Sequence, residues 1–180
     1  MLIRFFFALR GAIYLFTSKK MAAMSLMAAI GVLGAAFIWF PAGAARAFPV
    51  QHAINVLSAI LLGPGPAVVI AFLIAAVRNL LGLGTVLAFP GSIIGALLAG
   101  YAYKKWKKPP FAAVGEMIGT GIIASFISVP IANLFLGMEA AALAFMPAFL
   151  VSSVTGSVLG PLIALRLKKI RMFNRKDGFK

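Results

Sequence analysis

The chain has no cysteine, a single histidine and only three acidic residues. Without cysteine there is no disulfide framework and no thiolate metal site. The acids are scattered: Asp177 lies in the tail, and Glu116 and Glu139 fall at opposite ends of one predicted helix and its loop. No carboxylate pair, His/Asp cluster or Ser-His-Asp set can be assembled from them, so the residues for an enzyme are lacking. No glycine-rich stretch ends in GK[ST], so there is no P-loop. Uphill transport by this chain would draw its energy from a partner or an ion gradient. No metal or other cofactor is implied.

Charge is also missing from most of the length. Only 11% of residues are charged, mean hydropathy is +1.06 and 63% of residues are hydrophobic. Soluble domains carry about 25% charged residues. A soluble chain of 180 residues has too little interior to hide this much apolar surface. The composition is that of a polytopic membrane protein.

The charge that is present is basic and grouped. Seventeen Lys+Arg give a net charge of +14. Apart from Arg46 and Arg78 they fall in residues 1–20, in Lys104–Lys108 and from Arg166 onward. Basic blocks flanking apolar runs suit anionic lipid at a cytoplasmic surface, not nucleic acid.

Six apolar segments follow. They are Met21–Phe40, about His52–Leu62, Ala67–Leu81, about Pro90–Tyr103, Phe111–Leu136 and about Ala142–Leu165. The first is long enough for a bilayer core of roughly 30 Å, and Trp39 and Phe40 mark its far interface. Gly63-Pro64-Gly65-Pro66 is a turn. Pro41–Pro49 reads as a loop. The second to fourth segments are short, and the second and third also fit a re-entrant hairpin. Six crossings put both termini and the Lys104–Lys108 loop on one side, with fifteen of the seventeen basic residues. An odd number would put a basic block outside, against the positive-inside rule. The expected fold is therefore an all-α integral membrane bundle of six transmembrane helices over 21–167, both termini cytoplasmic in the plasma membrane, with a basic cytoplasmic tail at 168–180. Residues 1–20 mix Arg4, Arg10, Lys19 and Lys20 with Phe5, Phe6 and Phe7. They read either as an interfacial helix or as a leader before a start at Met21.

Small residues recur at helix-packing spacing. Gly91/Gly95 and Gly115/Gly119 form GxxxG pairs, and intramolecular packing is their default role. Ser25/Ala29 and Gly31/Ala35 put small residues on one face of the first helix.

Polar residues gather at the outer helix ends. Arg46, Gln51, His52 and Asn55 surround the first loop and the start of the second segment. Arg78 and Asn79 end the third, Ser92 opens the fourth, and Asn133 lies near the end of the fifth. Trp39, Phe48 and Phe89 sit beside them. Polar groups at membrane depth are costly unless paired or lining a cavity. Aromatics with a few convergent polar groups suit a small heteroaromatic solute. His52 and Asn55, three apart, share a helix face. Glu116 is expected to snorkel toward Lys105, Lys107 or Lys108. Glu139 is expected to begin the sixth helix, where its charge favours the dipole.

The run Phe48-Pro49-Val50-Gln51-His52-Ala53-Ile54-Asn55-Val56 resembles the ThiW type of S component. So do Leu61-Leu62-Gly63-Pro64, Arg78-Asn79-Leu80-Leu81-Gly82 and Ala88-Phe89-Pro90-Gly91-Ser92. S components are the substrate-binding subunits of energy-coupling factor (ECF) vitamin transporters. The resemblance covers about residues 21–165. It implies a six-helix unit that binds the thiamine precursor hydroxyethylthiazole near the outer face. It also implies partners, a transmembrane scaffold protein and two ATPase subunits. Docking in that family uses small residues on the first helix, often AxxxA. Ser25-x-x-x-Ala29 and Gly31-x-x-x-Ala35 are the nearest versions here, and Ala22, Ser25 and Ala29 are the expected docking residues. Other thiamine-related solutes (the pyrimidine precursor, thiamine, a phosphorylated thiazole), a stand-alone secondary carrier and a non-transporting scaffold are the alternatives.

Overall fold

A computed structural model describes residues 17–42, 45–139, 141 and 143–167. The expectations for residues 1–16 and for the tail at 168–180 lie outside the described residues. The fold is all-α apart from one small hairpin. Among the described residues six helices run in order: α1 (Ser18–Phe37), α2 (Pro49–Leu61), α3 (Pro64–Leu80), α4 (Ala88–Trp106), α5 (Pro109–Phe135) and α6 (Met146–Leu167). Helices α1, α5 and α6 are long and apolar enough to cross a membrane, and α2 and α3 are shorter apolar helices. Large apolar side chains such as Leu33, Phe72, Phe126 and Leu162 point outward from several helices. In water such a surface would be a liability; in lipid it is the solvated face. The chain is a multi-span helical membrane protein.

Local chemistry sets the helix ends. Thr17 caps α1, accepting from the Lys20 backbone N–H at 3.4 Å. Three helices (α2, α3 and α5) have proline in their first turn, where its missing N–H costs nothing. Gly63 adopts φ 92 between α2 and α3, a conformation suited to glycine. Lys107 closes α4 in the left-handed region, its N–H bonded to the Tyr103 carbonyl at 2.8 Å. Helix α5 is not uniform. A π-helical stretch, Met117–Ala124, begins directly after Glu116, and Pro130 lies further along. Such widened turns are frequent at functional positions.

Helix α2 is the central element: residues 51–60 are all buried, and every other helix touches it. Glycines permit the close approaches. At Gly156 of α6 a Cβ would meet the Pro49 carbonyl and lie 2.6 Å from His52 Cβ. On α5, Gly115 and Gly119 press on the backbone of α4 near Leu98 and Gly95, so the two helices approach closely there. Met24, Met27, Ile54, Leu57, Ile70 and Ile74 fill the core between α1, α2 and α3.

Four expectations need correction. The first loop is an antiparallel hairpin, β1 (Phe40–Ala42) against β2 (Ala45–Ala47), with Pro41 opposite Arg46. Its strands are too short to show an alternation in sequence. Helix α6 begins at Met146, so Glu139 lies in an exposed loop, not at a helix start. The small residues of α1 occupy two faces. Gly31 and Ala35 are buried, Gly31 against Ile74, while Ala22, Ser25 and Ala29 are exposed. Glu116 does not snorkel; it is fully buried.

Candidate functional site

At one end of the bundle the hairpin, the starts of α2, α4 and α6 and the ends of α3 and α5 enclose a cavity of about 510 Å³. This lies within the ~300–1,000 Å³ range of small-molecule sites. The Lys104–Lys108 block lies at the opposite end of α4. The cavity wall includes Phe48, Phe145, Phe149, Leu83, Leu87 and Met138, with Arg46, Gln51, His52, Arg78, Thr85, Ser92, Thr120 and Ser152. The lining thus pairs an apolar, aromatic surface with a limited set of polar groups.

The polar groups form two layers. In the first, Arg78 NH1 donates to Gln51 Oε1, Gln51 Nε2 donates to Ser92 Oγ, and Ser92 Oγ donates to the Ala88 carbonyl at 2.7 Å. Arg78 NH2 donates to the Leu83 carbonyl at 3.0 Å, and the guanidinium lies 3.9 Å from the centre of the Phe48 ring. The Phe48 backbone N–H donates to Ser152 Oγ at 2.8 Å, tying the α2 start to α6.

The second layer lies deeper and centres on Glu116. Its Oε1 is 2.7 Å from His52 Nδ1, 3.1 Å from Asn55 Nδ2 and 3.0 Å from Thr120 Oγ1. Asn55 Nδ2 also reaches the Ser92 carbonyl at 3.2 Å, and Thr120 Oγ1 is 2.8 Å from the Gly91 carbonyl. Three donors converging on one oxygen make a buried carboxylate tolerable. Gly95 leaves the space: a Cβ there would lie 2.6 Å from Glu116 Oε2. Oε2 itself and Asn55 Oδ1 have no partner among the described residues. His52 lines the cavity and turns Nδ1 to Glu116, which leaves its other ring nitrogen for a solute. The pair can therefore hold a defined tautomer toward a solute.

Of the site residues read from sequence, Arg46, Phe48, Gln51, His52, Arg78 and Ser92 come together on the cavity wall. Asn55 lies in the layer around Glu116. Four others do not reach the wall. Trp39 stands 42% exposed with the Arg46 guanidinium 4.1 Å from its ring centre. Asn79 turns back to bond the Ala75 carbonyl at 2.8 Å. Phe89 packs on Phe72 at 5.5 Å, and Asn133 faces outward from α5. For Asn79 helical rotation explains this: one residue past Arg78 the side chain points about 100° away. Glu116, Thr120, Ser152 and Phe149 were missed. The Glu116/Thr120 spacing of four, each directly after a glycine of the Gly115/Gly119 pair, was the available signal for a polar stripe on a tightly packed face. Among the described residues no group of three or more His, Cys, Asp or Glu could hold a metal.

Residues 21–170 match the family described as "Thiamine-precursor transporter protein (ThiW)". No curated protein and no solved structure matches the chain. The match spans most of the sequence and every element around the cavity, and the chain belongs to the ThiW family of thiamine-precursor transporter proteins.

Proposed function

We propose that this chain is the substrate-capturing S component of an ECF importer and that it takes hydroxyethylthiazole from the outer face. The observation that carries the reading is the cavity, which combines aromatic walls with the His52–Glu116 pair at the bundle end opposite the lysine block. On this reading the chain crosses the membrane six times, with both termini and that block in the cytoplasm and the cavity outside. In this reading the thiazole ring packs among Phe48, Phe145 and Phe149. The ring nitrogen and the hydroxyl bond His52 and its polar neighbours. The chain carries no P-loop, so ATP hydrolysis belongs to two ATPase subunits acting through a membrane scaffold protein. The exposed Ala22, Ser25 and Ala29 form a smooth strip on α1 for that scaffold.

Intrinsic fluorescence tests the capture step. Trp39 stacks under the cavity-lining Arg46, whereas Trp106 packs on Phe111 at 4.9 Å at the other end of α4. Hydroxyethylthiazole should change the Trp39 signal saturably, with Trp106 as internal reference. A silent titration, repeated by calorimetry with no heat, would remove the thiazole assignment.

One observation favours a second reading. Glu116 is an ionisable group fully buried at membrane depth, which a proton-coupled secondary carrier would need. Uptake into proteoliposomes by this chain alone, driven by a proton gradient without ATPase subunits, would replace the S-component reading.

A further inference from the structure

Resting on the thiazole reading, we infer that the same cavity also takes, and prefers, an anionic thiazole, one bearing a carboxylate or phosphomonoester, and that Arg78 with Arg46 receives that group. Only two of the seventeen basic residues lie outside the three basic blocks, and both line the cavity. Arginine is disfavoured on an outer face by the same rule that places lysine inside, so its position there calls for a role.

Arg78 is 2% exposed. Its two engaged donors meet only neutral acceptors, Gln51 Oε1 and the Leu83 carbonyl. A guanidinium has five N–H donors; two are used, and Nε is buried with no acceptor among the described residues. Among the described residues no carboxylate is bonded to it, and Glu116 is committed to His52, 2.7 Å away. A buried charge compensated only by dipoles is costly. The C-terminal turn of α3, where Arg78 sits, offsets part of that cost. Bound anion would supply the rest.

The surroundings fit the anion. Gly84 brings backbone alongside the guanidinium; even a Cβ there would lie 3.7 Å from Arg78 NH2. The Thr85 hydroxyl is on the same wall. Arg46, exposed on the hairpin and stacked on Trp39, holds a second positive charge toward the solvent side. An inner and an outer cation lining one opening would concentrate anions and guide them inward.

Calorimetry on the purified full chain tests this with three probes: hydroxyethylthiazole, its phosphomonoester and 4-methylthiazole-5-acetate. One of the anions is expected to bind about 10- to 100-fold tighter than the neutral alcohol, as charge-assisted bonds to a buried guanidinium allow. That preference should shrink with added salt. Whichever anion wins identifies the charged group. Arg78→Gln should bring the anionic and neutral thiazoles within a few-fold of one another. Arg46→Gln, at an exposed position that does not threaten folding, should cut the preference several-fold. Wild-type protein that binds the neutral alcohol as tightly as both anions would overturn the inference and leave the thiazole reading standing. No binding of any thiazole, neutral or anionic, would remove both.

Discussion

Glu116 should act on the solute through His52, and the two should therefore fail non-additively. Truncating Glu116 to Ala removes the acceptor of three donors. Two of them keep another partner: Asn55 Nδ2 retains the Ser92 carbonyl at 3.2 Å, and Thr120 Oγ1 retains the Gly91 carbonyl at 2.8 Å. His52 Nδ1 alone is left without one. An unpaired buried N–H costs about 1–3 kcal/mol, and pairwise couplings measured inside membranes run lower, up to about 1.7 kcal/mol. A loss of about 1–2 kcal/mol, roughly 5- to 30-fold in Kd for the thiazole, is therefore expected for Glu116→Ala. Glu116→Gln keeps an oxygen for the same donors and should lose less. His52→Ala should lose at least as much as Glu116→Ala. In the His52→Ala background, Glu116→Ala should then cost almost nothing further, because the ring it orients is gone. Calorimetric Kd values for the four corners of this cycle give the answer. Losses that simply add would refute the reasoning, and would mean that Glu116 and His52 meet the solute independently or not at all.

Other outcomes are expected from the same structure. Asn55→Ala should weaken thiazole binding about 5- to 100-fold, since it removes a donor to Glu116 and loosens the floor beneath His52, checked by calorimetry. Gly95→Ala should lower thermal stability by about 1–3 kcal/mol, because its methyl would press on Thr120 and Glu116; an unchanged melting profile in detergent would count against the close approach of α4 and α5. Gly156→Val should prevent recovery of folded protein, since the clash is with α2 backbone rather than a flexible side chain. Ala29→Leu should leave calorimetric thiazole binding intact yet abolish co-purification with the scaffold and ATPase subunits, as the position is exposed on α1.

Much of the fold was legible because bilayer physics leaves strong marks. Apolar runs between basic blocks gave six helices, and Gly63-Pro64 gave the α2–α3 turn that the structure contains. The hairpin at Phe40–Ala47 was not legible, because three-residue strands carry no period. Part of the site was visible as polarity at helix ends, which singled out Gln51, His52, Arg78 and Ser92. Depth was the missing coordinate. Glu116 lies eight residues beyond Lys108, and a long side chain that near a basic loop reads as interfacial. What draws it inward is long-range: His52 and Asn55 are 64 and 61 residues away, and Gly95 clears the space on another helix. Trp39, Asn79, Phe89 and Asn133 lie at the same end of the bundle but off the cavity wall, and sequence position alone does not resolve rotation at helix ends.

The most direct test is calorimetric titration of the purified chain, without any ATPase partner, with hydroxyethylthiazole, its anionic analogues and the pyrimidine precursor. The account predicts saturable one-to-one binding of a thiazole and none of the pyrimidine, with thiazole binding weakened about 5-fold or more in His52→Ala. Binding of the pyrimidine alone, or of none of these solutes, would contradict capture of a thiazole by the cavity around His52 and Glu116.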